Sequence, residues 1–214
     1  MLKPVRWNTF LRDFLVIQIG FLLFGLSIAL TIESNLGTNT WSVLEVALAR
    51  ITGLTVGTMS VIVGFTVLIA ALILREKIGW GTLANILSIG PWIDLCLWLL
   101  PSMKDNLPIQ IAMLLGGILT QGIATAIYIG VDAGAGPRDS LMLAVHHRSG
   151  LSIRLGRAII EIVVVTLGWL LGGPLGFGTV LFALLIGPSV QWAFKLFKVK
   201  AHKPGTEVVE AATD

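Results

Sequence analysis

The sequence predicts an all-α protein that crosses a membrane several times. Of its 214 residues, 55% are hydrophobic and only 13% are charged, whereas a soluble domain carries roughly 25% charged residues. Three stretches, residues 14–32, 54–74 and 109–131, contain no charged residue. Each has about 20 residues, which is long enough to cross a ~30 Å hydrocarbon layer as a helix.

An internal repeat is the second observation behind this fold class. Gly79-Trp80-Gly81-Thr82 resembles Gly176-Phe177-Gly178-Thr179, and Gly90-Pro91 recurs as Gly187-Pro188, in each case 97 residues later. Shared glycine and proline positions mark turns and close packing rather than apolar composition alone. We therefore predict a tandem duplication, with a first repeat at 1–107, a second at 108–198 and a disordered polar tail at 199–214.

Each half reads as the same series of four elements. A long span comes first, and a short helix-like segment follows a glycine-containing turn. Two further spans complete the half, and the last carries Gly-Pro near its middle, where we expect a kink. In order, the paired elements are residues 14–32 and 109–131, 40–50 and 137–147, 54–74 and 152–171, and 82–100 and 179–197.

The short segments decide the topology. Each has roughly ten to thirteen residues, or about 15–20 Å of helix, which is half a bilayer. If they enter and return on one side, each half crosses three times and the second half is inverted. The N-terminal basic residues and Arg75 then share a side with most other basic residues, and only Arg50 and Lys104 lie opposite, as the positive-inside tendency requires. The prediction is six transmembrane helices in a 3+3 inverted-topology repeat, with one re-entrant helix per half.

The N-terminal apolar run, residues 14–32, also needs comparison with a signal peptide. Basic residues precede it, and Ser27-Ile28-Ala29 resembles a small-x-small cleavage site. However, the run is longer than a usual signal-peptide core and matches a later segment of the chain. We therefore predict that it is retained as a helix, with both termini in the cytoplasm.

The main candidate site is the stretch from Gly134 to Asp139, which reads as a turn followed by a helix start. Gly134 and Gly136 suit the turn, and Pro137 suits the first helical position. Arg138 and Asp139 then lie in the first helical turn, where free N–H groups and partial positive charge can hold an anion. A structural alternative stays open, in which Asp139 caps the helix and Arg138 anchors it at the cytoplasmic face.

A charged stripe follows on the next apolar run. Arg154, Arg157 and Glu161 are spaced three and four residues apart, so they share one helix face, and Arg157 can pair with Glu161. The matching residues in the first half are small and uncharged: Gly57, Ser60 and Gly64. Charge at membrane depth is expensive and usually functional. The stripe therefore predicts either a solute site or proton relay, or a buried ion pair that fixes helix register.

Four further polar residues are secondary candidates for the site: Asn35, Asn39, Glu45 and Asp94. Ser42 and Glu45 fit a capping-box pattern, and Trp41 fits an anchor at the membrane interface. Asp94 lies one turn beyond Pro91, where we expect it either to pair with a freed backbone donor or to line a cavity.

Other chemistry finds no support in the sequence. It contains no phosphate-binding loop, no Gly-x-Ser-x-Gly and no His-Glu-x-x-His, so we predict no enzyme, no catalytic residue and no cofactor. His146 and His147 are adjacent and cannot share a helix face, and Cys96 is the single cysteine. We therefore predict no metal site. The basic residues cluster at the ends of apolar runs, which favours membrane orientation over nucleic-acid binding.

The Gly134–Met142 stretch, the Arg157–Glu161 pair, Gly172-Gly173 and the Gly-Phe-Gly-Thr and Gly187-Pro188 motifs together resemble the YczE/YyaS/YitT-like bacterial integral membrane proteins. The resemblance covers the chain to about Phe197 and implies a multi-pass protein of the plasma (inner) membrane. The residues that the family pattern singles out are Gly134, Gly136, Pro137, Arg138, Asp139, Arg157 and Glu161.

The combined pattern predicts a small secondary transporter or channel-like protein in the lipid bilayer. Its solute would be small and anionic, held at Arg138 and the N–H groups of the short helix, and Arg157 and Glu161 would either gate the site or carry a proton. The alternative is a non-transporting accessory or scaffold protein that assists another enzyme or export complex. The sequence leaves the oligomeric state open, with a homodimer as one arrangement.

Overall fold

The structure, a computed structural model, describes residues 7–76, 78–103, 106–134 and 136–199, without the side chains of residues 153 and 154. Within these ranges the chain forms eight α-helices. They are α1 Phe10–Glu33, α2 Thr40–Thr52, α3 Val56–Ile73, α4 Trp80–Leu99, α5 Leu107–Gly130, α6 Pro137–Ser149, α7 Ile153–Leu170 and α8 Phe177–Leu196. The all-helical prediction is confirmed. The predicted tail lies outside the described residues except for Val199.

Local sequence explains where the helices begin and end. Thr55 and Ser152 cap α3 and α7, each accepting a hydrogen bond from the backbone N–H three residues later. Pro137 occupies the first turn of α6, as predicted, where its missing N–H costs nothing. Gly53 and Gly150 end the two short helices in the left-handed conformation, with φ of 73° and 69°.

The helices recur at a constant interval. Every helix of the first half begins and ends 97 residues before its counterpart in the second. The left-handed turn residues follow the same interval, because Asn35 and Asp132 have φ of 56° and 55°, and Gly37 and Gly134 have φ of 114° and 126°. The two halves therefore share their turn geometry as well as their helix lengths.

Helices α1 and α5 lie at the centre and run antiparallel. Gly20, early in α1, contacts Tyr128, late in α5. Ser27, further along α1, donates a hydrogen bond of 2.7 Å to the carbonyl of Gly117, early in α5. Helix α4 packs on α1, and its counterpart α8 packs on α5. Small residues at these crossings let the helix backbones approach closely.

Helices α2 and α6 pack crosswise on the opposite half, α2 on α7 and α6 on α3. The end of α2 lies beside the end of α7, since Arg50 donates a hydrogen bond of 3.0 Å to the carbonyl of Gly172. The end of α6 lies beside the end of α3, where His147 Nδ1 is 3.0 Å from Glu76. Because α3 begins directly after α2, and α7 directly after α6, α3 and α7 also run antiparallel.

Five helices are long and apolar enough to cross a membrane: α1, α3, α4, α5 and α8. Helix α7 has 18 residues but contains three charged positions, Arg154, Arg157 and Glu161. Composition thus supports five of the six predicted spans. Pro91 and Pro188 both lie inside continuous helices, and the kinks expected there stay predictions.

The halves differ in one packing contact. A Cβ on Gly57 of α3 would overlap the carbonyl oxygen of Gly90 on α4, so the two backbones touch. Asp94 of α4 completes this contact by accepting two hydrogen bonds, one of 2.7 Å from the N–H of Gly57 and one of 2.6 Å from Thr55 Oγ1. In the described part of the second half, α7 and α8 do not pack along each other. Open space surrounds Gly187, the counterpart of Gly90.

Three local predictions need correction. The cap of α2 is Asn39, whose side chain accepts from the N–H of Ser42 at 2.9 Å, so Ser42 and Glu45 do not form the capping box. Trp41 is buried rather than at an interface. Asp94 neither pairs with a donor freed by proline nor lines the cavity described below, because it caps α3.

Candidate functional site

A large cavity lies between the two halves of the molecule. Its volume is about 1210 Å³, and all eight helices contribute to its lining. The first turns of α2 and α6 lie in its wall, together with polar positions on α5 and α7. Among the lining residues are Asn39, Trp41, Asn85, Gln121, Tyr128, Gly134, Gly136, Arg138, Asp139, Arg157, Glu161 and Gln191.

The two short helices meet through an ion pair. Arg138, in the first turn of α6, binds the carboxylate of Glu45 on α2 through Nη2. Its guanidinium also lies over the ring of Trp41, 4.9 Å from the ring centre, which is a favourable cation–π geometry. Arg138 and Trp41 occupy equivalent positions of the repeat, so the N-terminal turns of the two short helices touch at matching residues.

Glu45 is fully buried, and its second carboxylate oxygen accepts a hydrogen bond of 3.3 Å from Ser42 Oγ. A buried carboxylate is costly unless it is paired and hydrogen-bonded, and Glu45 has both kinds of partner. The pair occupies the guanidinium of Arg138. An anionic solute at Arg138, as predicted from the sequence, would therefore compete with Glu45.

Asp139, in the first turn of α6, makes its side-chain hydrogen bond outside that helix, and the N-cap position is Gly136, which has no side chain to cap with. Its carboxylate instead accepts 3.0 Å from the hydroxyl of Tyr128 on α5. Gly134 and Gly136 form the turn before α6, and Gly134 contacts Gly79 at the start of α4. This contact explains the glycine, since a side chain at φ 126° would be strained and would meet the α4 backbone.

Arg157 and Glu161 form the predicted pair, with Arg157 Nε 2.8 Å from Glu161 Oε1. Their side chains are 54% and 29% exposed, and both line the cavity. Asp139 and Tyr128 line the same cavity. The structure therefore brings four of the predicted residues together: Arg138, Asp139, Arg157 and Glu161.

The secondary candidates are distributed differently. Asn39 lines the cavity, and Glu45 lies directly behind Arg138. Asn35 lies outside the cavity lining, where its side-chain amide donates 3.1 Å to Ser102 Oγ. Arg154 lies on α7, but its side chain is outside the described part of the structure.

Sequence reasoning missed several residues of this site. Tyr128 is the only tyrosine of the chain, and Gln121 is an amide within the apolar run 109–131. Polar groups at such positions usually line a cavity or contact another polar group, so an inventory of polar residues inside the spans would have found both. Asn85 lies in the predicted span 82–100 and would have been found in the same way, whereas Trp41 carries no such signal.

Comparison with known proteins places these features in a family. Residues 11–195 match DUF6198, a family of unknown function. An uncharacterized protein of Haemophilus influenzae is 38% identical over 191 residues, covering 87% of each chain. No solved structure matches the chain.

Two relatives come from Bacillus subtilis. The uncharacterized membrane protein YczE is 32% identical over 88% of this chain and 85% of its own. The uncharacterized protein YyaS is 32% identical over 79% of this chain and 86% of its own. The resemblance found in the sequence is thereby confirmed, and this membrane protein belongs to the DUF6198 family.

Proposed function

We propose that this protein is a small secondary transporter of the bacterial inner membrane, with its solute site in the cavity between the two halves. The observation that carries the proposal is the meeting of the α2 and α6 N-terminal turns at a charged cavity. Many inverted-repeat transporters bind their solutes where such half-helices end near the bilayer midplane.

The helix directions support an inverted repeat. Equivalent helices α1 and α5 run antiparallel, and so do α3 and α7. If the two halves are related by an axis in the membrane plane, this arrangement follows directly. Helix α7 then becomes the sixth span, because its charged residues Arg157 and Glu161 face the cavity rather than lipid.

The short helices support the re-entrant arrangement. Each has 13 residues, or about 20 Å of helix, too short to cross a bilayer. Their N-terminal turns touch each other through Arg138 and Glu45, and their C-terminal ends lie beside Gly172 and Glu76 respectively. Each helix would thus begin near mid-depth and return to the side from which the chain came.

Charge gives the orientation of this arrangement. With both termini in the cytoplasm, Arg75, Arg148 and Lys195 lie on the cytoplasmic side and Arg50 lies outside, as the positive-inside rule favours. Arg75, Glu76 and His147 also line one end of the cavity. We therefore assign this end of the cavity to the cytoplasmic side.

Sided labelling tests the proposal. Single cysteines at Met142 and Ala183, both in the cavity lining, are introduced in a Cys96→Ser background. They are treated with a membrane-impermeant maleimide in right-side-out and inside-out vesicles. A transporter exposes the cavity alternately, so we expect labelling from both sides, faster from the cytoplasmic side. Labelling from one side only, or at neither position, contradicts a transporter and favours the scaffold alternative.

Uptake by proteoliposomes tests the site itself. For a solute moved by the wild type, Glu161→Gln should lower the initial rate at least tenfold, because it removes a carboxylate from the cavity. Glu33→Gln is the matched control, since Glu33 lies outside the cavity lining. Equal rates for Glu161→Gln and wild type would show that the site is wrongly assigned.

A further inference from the structure

The cavity has an open side along α8, at the place that corresponds to the α3–α4 contact of the first half. In the first half, Gly57 and Gly90 join α3 to α4 without a gap. The second half has Arg154 in place of Gly57, and α7 does not pack along α8 in the described residues. Gly187 therefore faces open space, and it lines the cavity.

Helix α8 gives the open side an apolar wall. Phe182, Ile186 and Val190 line the cavity at one-turn intervals, and the small residues Ala183 and Gly187 leave room between them. Ala183 and Gly187 are exposed although they line the cavity. The apolar body of a solute can therefore lie along α8, next to the lipid-facing surface of the helix.

The opposite wall is charged, and carboxylates predominate there among the described side chains. Arg138 is neutralised by Glu45. Arg157 pairs with Glu161 at 2.8 Å. Among the described residues, Asp139 has the neutral hydroxyl of Tyr128 as its hydrogen-bond partner and no cation paired with it.

From these two walls we infer that the cavity takes an amphipathic organic cation, with its ammonium group at Asp139 and its apolar body against α8. The inference rests on the proposed function, because it assumes that the cavity is a solute site. The aromatic faces of Tyr128 and Phe24, which also line the cavity, suit an alkylammonium group.

An anion or a bare ion fits the cavity less well. An anion would face Asp139 and Glu161 while both nearby guanidinium groups already have carboxylate partners. A metal ion would leave most of a cavity of about 1210 Å³ unfilled, a volume typical of sites for larger organic molecules. An organic cation uses both the charge and the volume.

Calorimetric titration of the full chain in lipid nanodiscs tests the inference, with empty nanodiscs as the blank. The probes are tetrapropylammonium, the less apolar tetramethylammonium and the anion propanesulfonate. We expect saturable binding of tetrapropylammonium, with tetramethylammonium at least tenfold weaker. Asp139→Asn should weaken tetrapropylammonium binding at least tenfold, and Glu33→Gln should leave it unchanged.

A second variant covers the case in which Asp139→Asn fails to fold. Ala183→Trp fills the space beside α8, so it should block tetrapropylammonium and leave tetramethylammonium binding within about twofold. If neither ammonium probe binds wild type, or if Asp139→Asn folds and binds normally, the inference is overturned. Saturable binding of propanesulfonate that Arg138→Gln abolishes also overturns it.

The two proposals fail in different ways. Labelling of the cavity from both membrane sides without ammonium binding leaves a transporter whose solute belongs to another class. Ammonium binding to a cavity that is labelled from one side only leaves a cation-binding protein that does not transport.

Discussion

The first half of the molecule joins α3 to α4 through Gly57, Gly90 and Asp94, whereas the second half leaves α7 and α8 apart. The helices have the same lengths and the same turns, so helix formation is not the cause of the difference. The residues at the helix crossing differ. The first half has Gly57 opposite Gly90 and is packed there, and the second half has Arg154 at the position of Gly57 and leaves α7 and α8 apart.

The two halves also differ in charge at this place. At three matching positions the first half has Gly57, Ser60 and Gly64, and the second has Arg154, Arg157 and Glu161. Small residues let helices pack closely, and charged residues need water or partners. At these positions the second half therefore lacks the backbone contact of Gly57 and places the charges of Arg157 and Glu161 in the cavity lining.

The largest expected effect lies where the two halves meet. Glu45→Ala leaves the guanidinium of Arg138 without its carboxylate, and breaking a buried pair costs about 3–5 kcal/mol. We expect a large loss in thermal stability. Thermal unfolding in detergent, measured by tryptophan fluorescence, tests this. Met142→Ala, at the equivalent position, should lower the stability less, because this substitution leaves no charged partner unpaired.

A double variant separates the loss of the Glu45–Arg138 ion pair from the cost of leaving one charge unpaired. Glu45→Met combined with Arg138→Met removes both charges, and we expect it to recover most of the lost stability, because apolar replacement of a buried pair is often neutral. A double variant no more stable than Glu45→Ala would show that Arg138 is not the group that Glu45 compensates.

The second-largest loss of stability is expected at the contact between Gly57 and Gly90. Gly90→Ala places a Cβ 2.5 Å from the carbonyl oxygen of Gly57, and overpacking of this kind costs about 1–3 kcal/mol. Gly187→Ala, at the equivalent position, meets no atom within 4 Å and should be nearly neutral. The same thermal unfolding assay compares them, and equal losses would contradict the asymmetry of the halves.

Asp94 gives a smaller effect on the same contact. Asp94→Asn replaces one acceptor of the hydrogen bonds from Gly57 N–H and Thr55 Oγ1 by an amide donor. We expect a loss of about 1–2 kcal/mol, similar to the loss of a helix cap. Gln191→Ala is the control at the equivalent position, where it lines the cavity. A loss as large for Gln191→Ala would indicate that α7 and α8 are joined after all.

The smallest stability effect should come from the charged stripe. Arg157 is half-exposed, and exposed ion pairs contribute about 0–1 kcal/mol. We therefore expect Arg157→Gln to change stability by less than about 1 kcal/mol and to impair transport. A loss as large as that of Glu45→Ala would support the alternative in which the pair with Glu161 fixes helix register.

Much of the fold could be predicted because its signals are local. Glycine and proline punctuate the turns, and apolar runs define the helices, so the repeat and the approximate helix positions followed from the chain alone. Arg157 and Glu161 were also predictable, since they lie four residues apart on one helix.

The remainder of the site depends on contacts between distant residues. Arg138 and Glu45 are 93 positions apart, and no pattern within either segment identifies the other. The same holds for Asp94, whose partners lie on the preceding helix at a backbone contact that two glycines permit. The sequence located the charged groups and left their pairing undetermined.

Water accessibility at matched positions tests the central claim most directly. Val190 of α8 lines the cavity, and its counterpart Ile93 of α4 is fully buried. We would place a single cysteine at each position in a Cys96→Ser background and measure its reaction rate with a charged, water-soluble methanethiosulfonate. The account predicts at least tenfold faster reaction at position 190. Equal rates, or a faster reaction at position 93, would contradict an open second half beside a closed first half.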